Sequence, residues 1–253
     1  MLLRRQVALP LLVLFIALSF VAAACWSLNR HKQQLLQDDF DAGVLRLSAE
    51  LEARFELPFA ALRGTRALFH AREGVSEAEF QAYVDSLGML NDFAGMYTVS
   101  YVQRVSAPQV ASLEQAARRQ GHPDFVVRPV TAGGADRYVV RYITPLSSNG
   151  AALGYDLASD DLRRGTLMRA VRTGQPTLSP VISMVQDRHQ RSAVLYMLPI
   201  YRQGHATGTI AQREAAVTGL VSGGVLIEEV LQSQVDILKS VELDYQLLVD
   251  VGS

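Results

Sequence analysis

The stretch YVVRYITPLSSNGAALGYDLASDDLRRGTLMRAVRTGQPTLSP, residues 138–180, predicts a strand, a polar loop and a helix in succession. Pro145 ends the strand because proline has no backbone N–H to donate. The SSNG sequence that follows is typical of a turn. The helix is predicted from Ser159, a suitable N-cap residue, to Thr173, with Gly174 just past its end. The stretch contains no recognisable catalytic set.

Hydrophobic patterning on both sides of this stretch predicts an α+β fold. Capping boxes of Ser76 with Glu79 and of Ser106 with Gln109 predict two further helix starts. Short turns between neighbouring strands favour antiparallel pairing, and the order of elements lacks a regular βαβ alternation. Strands are predicted at 96–105, 125–130, 136–144, 177–186, 193–201, 217–227 and 244–251, a loop at 202–215 and a last helix at 228–239.

The N-terminal segment predicts a membrane anchor. No charged residue lies between Gln6 and Asn29, and about twenty apolar residues in a helix span roughly 30 Å, the thickness of a bilayer core. We therefore expect a transmembrane helix or uncleaved signal anchor in residues 1–28, with the short N-terminal tail inside. A cleaved signal is the alternative, because the small residues before Cys25 suit a peptidase and Cys25 is a candidate for lipidation.

The residues after this anchor predict a helical stalk and then one folded region. Apolar residues at helical spacing between Phe40 and Phe55 predict an amphipathic helix within a stalk at 29–60. Packing of this helix on its own domain is the alternative. We expect the folded domain at 61–239, and at 240–253 a final strand before a further C-terminal part.

Composition and motifs argue against several classes of function. A net charge of −1 gives no bulk electrostatic case for binding nucleic acid. One cysteine rules out an intrachain disulfide, and the five histidines show no metal-ligand spacing. The motifs of serine hydrolases, P-loop proteins, zinc proteases and dinucleotide sites are absent from the sequence. We therefore expect no catalytic residue, no cofactor and no metal site.

Polar side chains near the predicted strands are candidates for binding a ligand. Five tyrosines either line a pocket or pack in the core: Tyr138, Tyr142, Tyr155, Tyr196 and Tyr201. Four arginines of the predicted helix either bind an anion or form a solvated face: Arg163, Arg164, Arg169 and Arg172. Asp156 either contacts a ligand or holds the loop through backbone amides.

From Tyr138 onward the sequence resembles the CHASE domain, an extracytoplasmic sensor module of receptor histidine kinases and cyclases. The matching pieces are YVVRYITP, NGAALGYDLASDDLRRGTLMRAVRTGQPTLSPVISMVQ, VLYMLPIY and REAAVTGLVSGGVLIEEVL, with ALRGTRALFHAREGVSEAEFQAYV and VSYVQRV upstream. They cover about residues 60–235 in the right order. The resemblance implies a long N-terminal helix, two PAS-like lobes with antiparallel sheets, small-molecule binding in the membrane-distal lobe, no catalysis in the domain and a homodimeric receptor.

The resemblance also implies where a ligand binds. Plant members of the family bind cytokinins, and the aspartate that contacts the adenine corresponds to Ser147 here, while a threonine corresponds to Ser179. The missing carboxylate implies a ligand other than a cytokinin. The ligand-binding residues that we predict are Tyr142, Ser147, Asn149, Asp156, Ser179, Tyr196 and Tyr201.

Our leading hypothesis is a periplasmic or extracellular small-molecule sensor of a membrane signalling receptor. In it, ligand binding biases a homodimer, and the stalk passes that bias across the membrane. A membrane-tethered periplasmic hydrolase that depends on Asp156 is one alternative. A partner-binding ectodomain without a small ligand is another.

Overall fold

A computed structural model describes residues 58–232 apart from 73, 94, 130–135 and 188, and before them only 26, 30, 42–45 and 48–49. Residues 42–45 and 48–49 are helical. Most of the predicted membrane anchor at 1–28, most of the predicted stalk at 29–60 and all of the last predicted strand at 244–251 lie outside the described residues. Among the residues that the structure does describe, no helix combines the length and the apolar character that a bilayer crossing requires.

The described chain is α+β, as the sequence predicts. The helices are α1 at 58–71, α2 Glu77–Ser86, α3 Met89–Asp92, α4 Val110–Arg119, α5 Leu146–Asn149, α6 Asp161–Thr173, α7 Ile210–Ala216 and α8 Ile227–Gln232. The strands are β1 Met96–Val105, β2 Arg137–Thr144, β3 Thr177–Leu178, β4 Ile182–Ser183, β5 Ser192–Tyr201 and β6 Val217–Leu226. Both predicted capping boxes form, Ser76 with Glu79 and Ser106 with Gln109.

All described strands belong to one antiparallel sheet of order β2-β1-β6-β5-β3, with β4 also paired to β5. The two lobes that the family resemblance implied are therefore corrected to a single sheet within the described residues. The physical reason is that β1 pairs with β6 at the centre, which joins the first and last described strands directly. Local patterning cannot indicate such a pairing, because the partners are far apart in sequence.

Both faces of the sheet are covered by helices. In β5, Val194 and Tyr196 pack with residues of α1 and α2, which defines the α1 face, and Leu195 and Met197 pack with residues of α4 and α6, which defines the α6 face. Successive side chains of a strand point to opposite faces, so burial of both faces explains the near-continuous apolar run of β5. Fully burying one large apolar side chain contributes about 1.5–3 kcal/mol.

The predicted strand at 177–186 is interrupted. It splits into β3 and β4 around Pro180, which has no backbone N–H for the ladder. Ser179 replaces part of that ladder, because its hydroxyl accepts a hydrogen bond of 2.9 Å from the backbone N–H of Leu195.

Three other predicted elements are also corrected. The predicted strand at 125–130 is reduced, among the described residues, to one bridge between Arg128 and Tyr155. Helix α7 lies in a predicted loop, and the capping box of Thr209 with Gln212 was the overlooked signal. The N-cap of α6 is Asp160 rather than Ser159.

The LGYD sequence fastens the loop after β2 onto that strand. The N–H of Gly154 donates to the carbonyl of Val140 at 3.0 Å, and the N–H of Val140 donates to the carbonyl of Tyr155 at 2.9 Å. The buried carboxylate of Asp156 accepts hydrogen bonds from the backbone N–H groups of Tyr138, at 2.9 Å, and Ala158, at 3.0 Å. These bonds hold the segment against the outer edge of the sheet.

Gly154 is required where it stands. Its φ of +79° lies in the left-handed region, and a Cβ added to it would lie 2.1 Å from the carbonyl oxygen of Val126. We expect Gly154→Ala to lower the free energy of unfolding by at least about 2 kcal/mol, since a left-handed backbone alone costs about 1–2 kcal/mol and the clash adds to it. Chemical denaturation measures the change.

Gly165 of α6 provides the matched control, because a Cβ added there meets no atom within 4 Å. We expect Gly165→Ala to raise the free energy of unfolding by about 1 kcal/mol, the helix propensity difference between the two residues. Equal effects of the two substitutions would contradict this account of Gly154.

Candidate ligand-binding site

An inner cavity lies on the α6 face, between the sheet and the segments that follow β2 and β4. We call the covering segments, 146–157 and 182–187, the roof. The floor comes from four strands of the sheet, and Arg163 of α6 closes one side. The lining residues are Thr98, Ser100, Val140, Ile143, Ala152, Tyr155, Leu157, Arg163, Met184, Val185, Gln186, Leu195 and Ser222.

Three buried hydroxyls lie in the floor of the inner cavity. Ser100 is opposite Ser222 in the pairing of β1 with β6. The hydroxyl of Ser100 donates to the carbonyl of Ser222 at 3.4 Å, and the hydroxyl of Thr98 donates to the carbonyl of Thr144 at 3.1 Å. Polar groups in the middle of an otherwise apolar sheet are informative, because burying them costs free energy unless they are hydrogen-bonded.

Polar contacts hold the roof over this floor. The amide of Gln186 donates to Oδ1 of Asn149 at 2.9 Å. The guanidinium of Arg163 donates through Nη2 to the carbonyl of Ser183 at 2.6 Å, and its Nη1 lies 3.3 Å from Oδ1 of Asp160. Arg163 is 7% exposed, so these contacts form in a poorly hydrated site where each is stronger than on the surface.

The inner cavity is small because the roof is closed onto the sheet. Its volume is about 30 Å³, enough for one water molecule, whereas small-molecule sites usually measure roughly 300–1,000 Å³. Gly224 of β6 permits this close approach, since a Cβ there would lie 2.5 Å from Cε of Met184 and 2.8 Å from Cγ2 of Thr98. A larger occupant therefore requires the roof to move away from the sheet.

None of the seven predicted site residues lines the inner cavity. Three of them support its surroundings instead. Asn149 holds Gln186, Asp156 holds the LGYD segment, and the hydroxyl of Ser179 accepts a hydrogen bond from the backbone N–H of Leu195 in β5. Ser147 lies exposed on α5.

The three tyrosines among these seven residues lie elsewhere, whereas Tyr155, also considered from the sequence, lines the inner cavity. Tyr142 and Tyr196 belong to the buried cluster on the α1 face. The hydroxyl of Tyr142 donates to the carbonyl of Val75 at 3.1 Å, and burial raises the pKa of Tyr142. The ring of Tyr196 packs edge-on against Phe59, with ring centroids 4.1 Å apart. At the end of β5, the hydroxyl of Tyr201 donates to the carbonyl of Val171 at 2.7 Å. These contacts agree with a packing role, and Tyr142 and Tyr201 also line a surface hollow beside α1.

The four arginines of α6 divide into two groups. Arg164, Arg169 and Arg172 are exposed, as a solvated face requires, and Arg172 pairs with Glu214 at 2.7 Å. Arg163 alone faces the inner cavity. The cavity hydroxyls could have been noticed in the sequence, because Thr98 and Ser100 interrupt the apolar run MYTVSYV and Ser222 interrupts LVSGGVL.

The position of Asp156 does not favour the hydrolase hypothesis. Its carboxylate already accepts two backbone hydrogen bonds and lies 3.4 Å from Nη1 of Arg137, so it is occupied in holding the loop. Among the described residues, no group of three or more histidine, cysteine or carboxylate side chains is arranged to hold a metal ion.

Comparison with known proteins identifies the family of the chain. A model of the CHASE domain matches residues 73–253. No curated protein matches the sequence. Among solved structures, an extracellular ligand binding receptor from Desulfohalobium retbaense DSM5692 is similar, with a TM-score of 0.51 and 14% identity over 79% of this chain and 27% of that one. The chain thus spans about a quarter of that receptor's length, and the likeness shows the fold. Because the family model covers well over half of the sequence, the chain belongs to the CHASE domain family.

Proposed function

We propose that the chain is the extracytoplasmic sensor of a membrane signalling receptor and that its small-molecule ligand binds in the inner cavity. The observation that carries this proposal is the cavity between the sheet and the roof, which is lined by three buried hydroxyls and one buried arginine. Family membership supports a sensory rather than a catalytic role for residues 73–253.

Ligand entry is coupled to movement of the roof. The cavity holds about 30 Å³, so a small molecule can enter only if Met184 moves away from Gly224. Gln186 and Arg163 then give up their hydrogen bonds to Asn149 and Ser183 and form hydrogen bonds to the ligand. Each exchanged hydrogen bond changes little in net free energy, because one partner replaces another. The roof therefore has two arrangements that a ligand can bias.

The lining defines the chemistry of the ligand. Most of the surface is apolar, supplied by side chains such as Val140, Leu157 and Leu195. The polar groups are the hydroxyls of the floor, the amide of Gln186 and the guanidinium of Arg163. A compact, largely apolar molecule with one hydrogen-bonding or anionic group fits this lining best.

The central strand β6 connects the inner cavity to helix α1. Ser222 faces the cavity, while a Cβ added to the next residue, Gly223, would lie 3.0 Å from Cδ1 of Leu62 in α1. A shift of β6 on ligand binding is therefore transmitted to α1 by direct packing. Through the predicted stalk at 29–60 and a homodimer, this shift carries the signal across the membrane.

Blocking the inner cavity tests the binding site. We expect at least one compound, in a panel of short-chain carboxylic acids, amino acids and adenine derivatives, to stabilise the full chain against thermal unfolding. A ligand at a hundred times its Kd contributes about 2.7 kcal/mol. Ser222→Leu fills the floor, so the stabilisation should be lost.

Ser147→Ala is the matched control, since Ser147 is exposed and does not line the cavity. Its response to the ligand should equal that of the unmodified chain. The proposal fails if no compound stabilises the chain, or if Ser147→Ala abolishes the response while Ser222→Leu preserves it.

Cross-linking tests the homodimer and its response to ligand. Val44 lies on the apolar face predicted between Phe40 and Phe55 and is 38% exposed in a single chain, and such a face favours burial against a partner helix. In a Cys25→Ser background, we expect Val44→Cys to form disulfide-linked dimers under mild oxidation, in a yield that changes when the stabilising compound is added. Non-reducing electrophoresis measures the yield.

The exposed Arg169 of α6 supplies the control, and Arg169→Cys should remain monomeric under the same conditions. A yield for Val44→Cys no greater than for Arg169→Cys would exclude this dimer. A yield unaffected by the compound would exclude the coupling.

A further inference from the structure

Arg141 occupies a β-bulge in the edge strand β2. Along the pairing of β1 with β2, Tyr101 lies opposite Tyr142 and Val102 lies opposite Val140, so that Arg141 between them has no opposing residue. A bulge interrupts the regular alternation of side chains and re-aims the one that it carries. The position of the Arg141 side chain is therefore set by its own contacts.

Those contacts leave the guanidinium of Arg141 incompletely satisfied. The residue is 4% exposed. Its Nη2 donates to Oε1 of Gln120, and its Cζ lies 5.1 Å from the ring centroid of Tyr142 and 5.6 Å from that of Phe125. Nη1 is buried without a hydrogen-bond partner, and no carboxylate in the described ranges forms an ion pair with Arg141. A buried charge that lacks an opposite charge is costly, so an anion nearby lowers the free energy.

Arg141 borders a wide depression that we call the outer groove. It consists of two adjoining hollows of about 720 and 400 Å³ that share Tyr101, Gln103, Arg202 and Thr218. Both volumes lie in the range of small-molecule sites, roughly 300–1,000 Å³. No lining residue is common to the outer groove and the inner cavity.

Positive charge dominates the described lining of the outer groove. Asp136 is the one carboxylate among those lining residues, and its Oδ2 lies 2.7 Å from Nε of Arg104. Arg72 also lines the groove and pairs with Glu79. The remaining lining arginines are the buried Arg141 and the exposed Arg202, whose side chains form no ion pair with any described residue. Together they produce a positive potential that attracts anions.

Aromatic rings form a wall of the outer groove. The rings of Phe69 and Tyr101 stack with centroids 4.2 Å apart, and Tyr142 lies 5.6 Å from Tyr101. The hydroxyl of Tyr101 makes no hydrogen bond within the described part of the chain. Burial raises the pKa of Tyr101 to about 12, so this hydroxyl stays protonated and available as a donor at neutral pH.

We propose that the outer groove is a second ligand site, selective for small aromatic anions such as carboxylates or phosphate monoesters. The guanidinium of Arg202 contacts the anionic group directly, because a planar guanidinium binds such oxygens in bidentate fashion. The wall of Phe69 and Tyr101 accepts the ring. The buried guanidinium of Arg141, which has no ion-pair partner among the described residues, attracts the bound anion electrostatically without contacting it. This inference is independent of the function proposed for the inner cavity.

Calorimetric titration of the full chain tests the second site. The probes are phenyl phosphate and benzoate, each compared with a neutral analogue of similar shape, benzyl alcohol and benzamide. We expect the anions to bind and the neutral analogues to bind at least tenfold more weakly. Arg202→Gln should weaken the binding of the anions at least tenfold, while Arg169→Gln, which removes an exposed arginine of α6, should leave it unchanged.

Each possible result of these titrations either supports or overturns the proposed second site. The proposal stands if anion binding depends on Arg202, persists in Arg169→Gln and persists in Ser222→Leu, whose inner cavity is filled. The proposal is overturned if neither anion binds with a Kd below about 10 mM at 25 °C. It is also overturned if Arg202→Gln and Arg169→Gln bind alike, or if Ser222→Leu alone abolishes binding, because the anion would then occupy the inner cavity.

Discussion

The antiparallel pairing of β1 with β6 is the interaction on which the rest of the structure depends. It joins Ser100 to Ser222, which are 122 residues apart in sequence. Strand β2 joins the sheet through β1, and β5 joins it through β6. Closing so long a loop costs conformational entropy, and the burial of apolar side chains on both faces of the sheet offsets it. The same pairing brings together the hydroxyls that form the floor of the inner cavity.

Function places an opposing demand on this core. A tightly packed interior is stable, but a sensor needs a region that can change its arrangement at modest cost. In the sensor that we propose, the roof supplies the change of arrangement, because Gln186 and Arg163 hold it closed with only a few hydrogen bonds. The floor beneath is built from the inner strands β1, β6 and β5 and from the edge strand β2. In the mechanism that we propose, movement begins at the roof and passes through Gly223 and Leu62 towards α1.

Two buried arginines illustrate how local partners decide the role of a charge. Arg163 forms an ion pair with Asp160, which compensates its charge, and it donates a hydrogen bond to the carbonyl of Ser183, which helps to close the roof. Arg141 has one amide oxygen and two aromatic rings, and one of its nitrogens is without a partner. The net charge of −1 conceals this difference. A positive potential therefore arises at the outer groove that bulk composition does not indicate.

The sequence by itself determined the α+β class, both predicted capping boxes and the family, because these depend on neighbouring residues or on motifs in order. It also indicated most of the strands and the end of α6 at Gly174. Only the tertiary structure decided which side chains meet. Tyr196 and Asp156 lie in core and loop contacts, whereas Tyr142 and Tyr201 border the outer groove. Tyr155 lines the inner cavity together with Thr98, Ser100 and Ser222. Strand register and the bulge at Arg141 set the direction of each side chain, and both follow from long-range pairing.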